Sequence, residues 1–330
     1  MSTSKKILLT FDYELFFKKS GTPENCLLKP VDALIEYMQT HKIRATFFID
    51  VMYYLRMTQE NQETIEKSKY IKEQIQKLVH LGHKIELHLH PHWLDAVYES
   101  GEWLFPTYKR YALQNMNENK ITELFRIGTD TLESIARDAI SGYKVTAFRA
   151  GGWNVVPFNK LRRGFEENGI IIDSSIVQNM RSCGEQHCFD YSGIDDEYYF
   201  FSDNPMEKMQ YGPFMELPIS TFKKSLFDKL RCKIYTANNR HRFKCYGDGL
   251  TMAGRALIIG KLQPIINVFT LELCPELIKA KLKNSKKNVI ICVSHPKELA
   301  PVSFLTLEAI RQEGCEFLTT GDMLRFAKGQ

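Results

Sequence analysis

Three short polar clusters, each directly after an apolar run, contain the residues best suited to metal and acid–base chemistry. They are Leu8–Leu15 (LLTFDYEL), Ile85–Trp93 (IELHLHPHW) and Val293–Pro296 (VSHP). Carboxylates and imidazoles are the side chains that hold divalent metal ions and transfer protons. Because each cluster follows a strand-like run, we expect all three to meet at the carboxyl ends of the strands of one barrel.

The first cluster contains two carboxylates, Asp12 and Glu14, separated by one residue. Residues two apart in an extended strand point to the same face, so these two share a side and Tyr13 faces away. Taken alone, a surface pair at a strand end is the simpler explanation. Together with the histidines described next, the pair is a candidate for metal binding and proton transfer.

The second cluster places His88, His90 and His92 within five residues, in a chain with nine histidines. His88 and His90 share a face if the strand continues, whereas Pro91 ends it with a turn that could bring His92 beside His88. Two imidazoles and one carboxylate form a metal site that leaves positions open for water and substrate. The sequence leaves open which two histidines bind the ion.

Two later residues could complete such a site. Arg149 follows a strand-like run and precedes Gly151 and Gly152, which allow a close backbone approach, and an arginine there can hold a carboxylate. A purely structural salt bridge is the alternative. His295 follows the most apolar strand-like run and is stopped by Pro296, so it is a candidate proton donor.

Strand-like and helix-like runs alternate along the chain. The predicted strands are Ile7–Phe11, Ala45–Ile49, Lys84–His88, Val145–Arg149, Ile170–Asp173, Met215–Pro218 and Val289–Val293. The predicted helices are Pro30–His41, Thr58–Leu81, Ile121–Ala139 and Asn159–Asn168. This alternation predicts an α/β fold with a parallel sheet, in one domain over 1–330 with a helical and loop insertion at about 222–287.

Composition narrows the class of protein. With 44% hydrophobic and 25% charged residues, the chain is typical of a globular protein and not of a disordered or fibrous one. Its N-terminus has no apolar core of the length that a secretory signal needs, and no run is long and apolar enough to span a bilayer, so we expect a cytoplasmic protein. The eight cysteines show no paired C-x-x-C spacing and are therefore expected to be free thiols.

The insertion at 222–287 is strongly basic. It contains 15 Lys and Arg against 4 Asp and Glu, which gives it a net charge of +11. The whole chain has a net charge of +5, so the residues outside this segment carry a net charge of −6. Such a segment is either a solvated face or a surface for an anionic partner such as a nucleotide-sugar, a lipid pyrophosphate or the surface of an acidic membrane. No helix-turn-helix or aromatic-interleaved pattern accompanies it, which argues against nucleic acid.

The ordered motifs resemble those of the polysaccharide deacetylase family, also called NodB-homology proteins or carbohydrate esterase family four. Thr10–Glu14 (TFDYE) resembles its first motif, His88–His92 (HLHPH) its second, Arg149–Trp153 its third, and Ser294–Pro296 (SHP) its last. The resemblance extends from residue 7 to about 299. It implies a distorted (β/α)7 TIM-like barrel, a divalent metal ion, and hydrolysis of acetyl groups on sugars.

The resemblance also implies roles for single residues. Asp12 would be the general base, Arg149 would orient it, and His295 would be the general acid. The ion would be zinc, with cobalt, nickel or manganese as alternatives. The second aspartate of the family's first motif is Tyr13 here, and the same-face argument puts Glu14 in its place as a metal ligand.

The metal ligands would thus be Glu14 with His88 and His92, while His90 is an additional candidate. Trp153 and Trp93 could stack on a sugar ring. The expected function is removal of an acetyl group from an acetamido-sugar in a cytoplasmic glycan precursor, either a nucleotide-sugar or a lipid-linked oligosaccharide for lipopolysaccharide or capsule.

The same residues suggest two alternative functions. A degenerate barrel that binds a glycan or a biosynthetic partner without turnover is supported by Tyr13. A glycosidase is disfavoured, because Asp12 and Glu14 lie on one strand and cannot flank a scissile bond from opposite sides.

Overall fold

The apolar runs of the sequence form fifteen strands and nine helices within the described residues. The structure, a computed structural model, describes residues 4–184, 187–250 and 266–327. The strands are β1 (Lys6–Tyr13), β2 (Thr46–Asp50), β3 (Lys84–Leu89), β4 (Val97–Glu99), β5 (Glu102–Leu104), β6 (Ala147–Ala150), β7 (Ile172–Asp173), β8 (Arg181–Cys183), β9 (Cys188–Asp190), β10 (Tyr199–Phe201), β11 (Phe214–Glu216), β12 (Thr221–Lys223), β13 (Ile266–Val268), β14 (Val289–Ser294) and β15 (Glu316–Leu318). The helices are α1 (Lys29–Thr40), α2 (Val51–Glu60), α3 (Gln62–His80), α4 (Glu118–Arg137), α5 (Asn159–Glu167), α6 (Leu226–Asn238), α7 (Pro275–Asn284), α8 (Pro301–Arg311) and α9 (Thr320–Ala327).

Seven parallel strands form the centre of the main sheet, in the order β11, β7, β6, β3, β2, β1, β14. The antiparallel strand β10 extends it at one side, and β15 pairs with the start of β1. The two ends of the seven-stranded array approach each other at Ser220, whose backbone N–H donates to the Ile291 carbonyl (3.0 Å) and whose Oγ accepts from the Ile291 N–H (3.0 Å). The sheet is therefore curled into an incompletely hydrogen-bonded barrel, and the predicted distorted (β/α)7 architecture is confirmed.

Alternation along β1 divides its side chains between two environments. Leu8 packs inside the barrel with Phe48 and Ile291, whereas Ile7 and Leu9 belong to the larger core beneath the helices. Both faces of a parallel strand are covered in this way, which is why the central strands are apolar on both sides. The same alternation continues to the carboxyl end of β1, where the side chains on the interior face become polar.

One predicted helix is divided in the structure. The expected helix over Thr58–Leu81 is the end of α2 and the whole of α3, with Asn61 between them. The Asn61 side chain accepts from the Thr64 N–H (3.0 Å) and Thr64 Oγ1 accepts from the Asn61 N–H (3.1 Å), so a reciprocal capping box starts a new helix there.

The segment at 222–287 contains most of β12, then α6, β13 and α7, between β11 and β14. Its residues 251–265 lie outside the described part of the chain. Within the described residues no helix is long and apolar enough to cross a membrane.

The expectation of eight free thiols is wrong for two cysteines. Cys183 and Cys188 face each other in the antiparallel hairpin of β8 and β9 and form a disulfide. Their Cα atoms are 4.1 Å apart, because a directly opposite pair in a hairpin brings the two side chains together. The other six cysteines are free.

Candidate functional site

The carboxyl end of β1 directs two carboxylates toward the interior and the intervening tyrosine away from it. Asp12 and Glu14 are both buried at the mouth of the barrel. Tyr13 points to the helical layer, where its hydroxyl donates to Gln74 Oε1 on α3 (2.9 Å). The structure therefore places the two carboxylates on one side and Tyr13 on the other, as the alternation predicts.

Glu14 meets two histidines from the end of β3. Glu14 Oε2 lies 3.1 Å from His88 Nε2 and 2.6 Å from His90 Nε2, and the two ring nitrogens are 3.1 Å apart. All three side chains are buried. One ligand atom from each lies within 4.8 Å of the others, which is an arrangement that can surround one ion.

The protonation of His88 favours a cation at this position. His88 Nδ1 lies 2.7 Å from the Arg149 carbonyl oxygen, and because a carbonyl can only accept, Nδ1 carries a proton. In the neutral ring Nε2 then presents a lone pair to the Glu14 carboxylate, which is also an acceptor. Two acceptors that face each other across 3.1 Å need a proton or a metal ion between them. The hydrogen bond to a carbonyl is also the arrangement that orients metal-binding histidines.

The charges of this cluster are tightly coupled. Burial raises the pKa of Glu14, but Lys297 and the two histidines outweigh it, so the pKa lies well below its usual value. Burial lowers the pKa of His88, yet the hydrogen bond that its protonated ring donates to Glu14 and the charge of Asp12 raise it overall. Burial lowers the pKa of His90 to about 4, so this ring is neutral at pH 7 and available as a ligand.

His92, predicted from the family spacing to be a ligand, packs beside His90 (5.2 Å between centroids) but brings no ring nitrogen into the cluster of Glu14, His88 and His90. Pro91–Asp95 forms a 3-10 turn that carries the ring into an aromatic environment next to Phe17 (4.5 Å between centroids) and Tyr111 (5.5 Å). Neither ring nitrogen has a hydrogen-bond partner among the described residues, and burial lowers the pKa of His92 well below its usual value. The structure brings His88 and His90 to Glu14, and it does not bring His92 there.

A glycine makes room for His90. A Cβ atom at Gly151 would lie 2.5 Å from His90 Nδ1 and 2.7 Å from the Leu89 carbonyl oxygen. A side chain at this position would therefore push the imidazole away from Glu14, and this explains physically why glycine follows β6 here.

Asp12 forms a buried ion pair with Arg149. The Arg149 Nη1 donates to Asp12 Oδ1 (2.5 Å), and both side chains are almost fully buried. Burial raises the pKa of Asp12, but the charge of Arg149 outweighs it and the pKa is lowered overall. Asp12 is thus held as a carboxylate, the form that can accept a proton.

Arg149 is itself fixed on several sides. Its Nε donates to the Ser174 carbonyl (2.8 Å), its Nη2 donates to Ser174 Oγ (2.9 Å), and its Nη1 also donates to Thr10 Oγ1 (3.0 Å). Its guanidinium carbon lies 4.1 Å from the centroid of the Phe48 ring. A planar group held in this way sets the orientation of the Asp12 carboxylate.

His295 reaches the same site from the end of β14. Its Nε2 lies 3.6 Å from Asp12 Oδ2 and 3.6 Å from Glu14 Oε1, while its Nδ1 lies 3.5 Å from Glu298 Oε2. It is also the most exposed of these side chains, at 19%. Asp12, Glu14 and His295 therefore surround one position at the barrel mouth that solvent can reach.

The two tryptophans have different surroundings. Trp93 is 0% exposed, and its indole N–H donates to Asp50 Oδ2 (2.6 Å). No face of this ring is available to a sugar, so the structure does not support the predicted stacking of Trp93 on a substrate. Trp153 is partly buried beside the core, with its carbonyl accepting from the Tyr191 hydroxyl (2.7 Å). It stays a candidate for substrate contact.

Lys297 is a site residue that sequence reasoning missed. It lies in the short turn after His295, buried between the rings of Phe16 and Phe17, and its ammonium donates to Glu14 Oε1 (2.8 Å) and to the Leu15 carbonyl (2.8 Å). His88 and His90 contact Glu14 Oε2, whereas Lys297 binds Glu14 Oε1. A lysine two residues after the histidine of a strand-end motif was the available signal, since that spacing can return a side chain to the site.

Solved structures that are similar to this chain include several sugar deacetylases. A Mycobacterium smegmatis protein described as a polysaccharide deacetylase is 13% identical, with 100% of this chain and 93% of that chain covered and a TM-score of 0.49. A peptidoglycan N-acetylglucosamine deacetylase is 14% identical (98% and 89% covered, TM-score 0.42). A family 4 acetyl xylan esterase from Clostridium thermocellum, solved with a cobalt ion, is 13% identical (98% and 92% covered, TM-score 0.42).

No protein-family model matches the chain, and no curated protein matches it either.

Proposed function

We propose that this protein is a metal-dependent hydrolase of the polysaccharide deacetylase family that removes an acetyl group from an acetamido-sugar. The observation that carries the proposal is the convergence of a carboxylate–arginine pair, a Glu–His–His cluster and a further histidine at one barrel mouth. Asp12, Arg149 and His295 stand beside the cluster of Glu14 with His88 and His90. Chemistry at the carboxyl ends of the strands is typical of parallel barrels.

The residues fit a divalent ion of the zinc type. Glu14 Oε2, His88 Nε2 and His90 Nε2 would hold it, with one carboxylate and two imidazoles as the ligand set. Zinc is the ion we propose, with cobalt, nickel or manganese as alternatives. Such an ion, when bound, polarises a carbonyl oxygen and lowers the pKa of water.

The neighbouring side chains would move the protons of amide hydrolysis. Asp12 accepts a proton from the water that adds to the acetyl carbonyl, and Arg149 keeps the carboxylate ionised and aimed at the site. His295 donates a proton to the amine nitrogen as the C–N bond breaks. Acetate and the free amino-sugar are the products, and the distance of 3.6 Å between His295 Nε2 and Asp12 Oδ2 allows one substrate to contact both groups.

For the substrate we propose a phosphate-bearing glycan precursor in the cytoplasm, a nucleotide-sugar or a lipid-linked oligosaccharide for lipopolysaccharide or capsule. The basic segment 222–287, with a net charge of +11, supports an anionic substrate. Six of the eight cysteines are free thiols, which is usual for proteins of a reducing compartment.

A second function is favoured by Lys297. Its ammonium already neutralises Glu14 from the side of Oε1, so the charge of Glu14 can be balanced without a metal ion in a barrel that binds a glycan without turnover. Tyr13 in the place of the family's second aspartate points the same way. The two functions differ in metal content and in acetate release.

The test measures both quantities on purified protein. We expect about one divalent ion per chain by mass spectrometry and acetate release from acetamido-sugars. His88→Ala should lose the ion and the activity, whereas Asp12→Asn should keep the ion and lose the activity, by about 100-fold or more for a missing general base. His80→Ala, on the exposed end of α3, is the matched control and should change neither.

Three outcomes would contradict parts of the proposal. Acetate release by Asp12→Asn at the wild-type rate would exclude Asp12 as the base. Full metal content in His88→Ala would exclude the cluster as the metal site. Sugar binding with neither metal nor acetate release would establish the non-catalytic function instead.

A further inference from the structure

Helix α6 (Leu226–Asn238) is unusual because none of its residues is buried. Four large apolar side chains on it are open to solvent: Leu226 is 82% exposed, Phe227 66%, Leu230 56% and Ile234 53%. Singly exposed apolar residues are ordinary on a protein surface, but four on one short helix form a patch. A patch of this kind indicates a surface that another molecule or a membrane covers when the protein functions.

The four apolar side chains form a single stripe along the helix. At 100° per residue, Leu226, Leu230, Ile234 and Phe227 fall within an arc of about 100°. The opposite side of the helix faces the body of the protein, where Asp228 and other residues of α6 line a cleft together with residues of α7. Leu226, Phe227 and Leu230 do not line this cleft and point away from the rest of the molecule, whereas Ile234 lies at its edge and remains 53% exposed.

The charges on α6 are segregated in the same way. Its one acidic residue, Asp228, lies on the inner side and is paired with Lys281 of α7 (2.7 Å). Lys229 and Lys233 border the apolar stripe on one side, and Arg231 borders it on the other. Basic side chains on both borders of an apolar stripe are typical of helices that lie in a membrane interface, because their stems cover apolar surface while their charges reach the phosphates.

The segment around α6 adds to this positive surface. Between residues 223 and 244 there are eight Lys and Arg and one Asp. Within 4–184, 187–250 and 266–327, none of the eight basic residues forms an ion pair. They are Lys223, Lys224, Lys229, Arg231, Lys233, Arg240, Arg242 and Lys244.

We propose that α6 docks the protein on the surface of an anionic lipid bilayer. The stripe of Leu226, Phe227, Leu230 and Ile234 inserts at the boundary between headgroups and acyl chains, and the flanking Lys and Arg bind the lipid phosphates. Self-association through this face is disfavoured, because it would bring two strongly positive surfaces together. The proposal rests on α6 and the basic residues next to it, and it does not depend on the proposed hydrolase activity.

The experiment is flotation of the full-length protein with vesicles of two compositions. One contains phosphatidylglycerol mixed with phosphatidylcholine, and the other contains phosphatidylcholine alone. We expect binding to the anionic vesicles and at least about tenfold weaker binding to the neutral ones. Phe227→Ser/Leu230→Ser, which keeps every charge, should bind the anionic vesicles at least about tenfold more weakly than wild type.

Matched variants distinguish insertion of the α6 side chains into the lipid from a general loss of surface hydrophobicity or of folding. Tyr211→Ser removes an aromatic side chain that is 77% exposed elsewhere on the surface and should bind like wild type. Phe227→Trp should show a blue shift of its fluorescence on addition of anionic vesicles, because an inserted indole leaves water. A circular dichroism spectrum like that of wild type shows that each variant is folded.

Four results would overturn the proposal. They are no vesicle binding by wild type, equal binding to neutral and anionic vesicles, unchanged binding of Phe227→Ser/Leu230→Ser, and a wild-type dimer that this double substitution converts to a monomer. Unchanged binding would leave only a peripheral electrostatic contact, and the loss of a dimer would identify a second copy of the chain as the occupant of the stripe.

Discussion

The buried contact between Lys297 and Glu14 is the least expected feature of the site, and its energy can be measured without any assumption about activity. Both side chains are about 95% buried, and the ammonium donates to Glu14 Oε1 over 2.8 Å. Removing one member of a buried ion pair leaves the other charge without its partner, which destabilises a protein by about 3–5 kcal/mol. We expect this loss for Glu14→Gln, because the Lys297 ammonium then has only neutral acceptors, such as the Leu15 carbonyl, and no compensating negative charge.

Lys297→Met should be destabilising by an amount near the lower end of that range, about 3 kcal/mol, because Glu14 keeps its contacts to His88 and His90. The double variant Glu14→Gln/Lys297→Met removes both charges and leaves groups of similar size. Its loss of stability should therefore be smaller than the sum of the two single losses. The expected coupling free energy is about 2–3 kcal/mol.

The assay is urea denaturation of the four proteins in excess chelator, followed by tryptophan fluorescence and circular dichroism. The chelator keeps metal binding from adding to the measured free energy of unfolding. A second cycle on Lys120 and Glu123 of α4 is the matched control. That pair also has an N–O distance of 2.8 Å, but its side chains are 41% and 45% exposed, so water screens it and its coupling should be much smaller than that of Lys297 and Glu14.

Equal coupling in the two cycles would refute the reasoning. It would mean that water or a shifted side chain already compensates Glu14 when Lys297 is removed. A single substitution that leaves stability unchanged would have the same meaning.

Two further predictions concern the surroundings of the site and the core. Gly151→Ala should weaken divalent metal binding by about tenfold or more in a competition titration with a chelator, because the alanine Cβ would displace the His90 imidazole. The control is Gly321→Ala, whose Cβ would lie 3.2 Å from the flexible Lys84 side chain and 3.9 Å from Thr319 Oγ1, and it should bind the metal like wild type. Burial lowers the pKa of His83 to about 4, and the neutral ring accepts from the Ala45 N–H at Nδ1. Because the unfolded chain takes up this proton near pH 6.5 and the folded chain does not, the contribution of His83 to stability is complete above pH 6.5 and is lost as the pH falls toward 4. Between pH 7 and pH 5 wild type should lose about 2 kcal/mol more than His83→Asn in urea denaturation, and equal losses would show that His83 does not resist protonation in the native state.

Alternation in β1 is the part of the site that the sequence predicts best. A strand has a period of two, so the shared side of Asp12 and Glu14 and the opposite side of Tyr13 follow from their spacing alone. The positions of the seven parallel strands follow in the same way from continuous apolar runs, since strands buried on both faces are apolar on both faces. These features depend on local geometry, which the sequence encodes directly.

Features that depend on the path of the chain after a strand were predicted less well. Whether His90 or His92 joins His88 depends on how the turn after Pro91 runs, and that turn is set by the aromatic side chains onto which His92 packs. Trp93 is buried for the same reason. The break between α2 and α3 depends on a capping box at Asn61, whose reciprocal hydrogen bonds outweigh the continuous helical period of the apolar residues.

Lys297 was not predicted from the sequence, and it bears directly on the function of the site. Its position follows from the turn after β14, yet its effect falls on Glu14, a residue that the strand period had already placed. Asp12 and Glu14 carry two negative charges at the site, and Arg149 and Lys297 carry two positive charges. A divalent ion held by Glu14 would therefore enter a site whose fixed charges are already balanced, whereas a site without the lysine would attract it more strongly. Metal affinity is therefore the property that best distinguishes an active hydrolase from a barrel in which the Lys297 ammonium, and not a metal ion, balances the charge of Glu14.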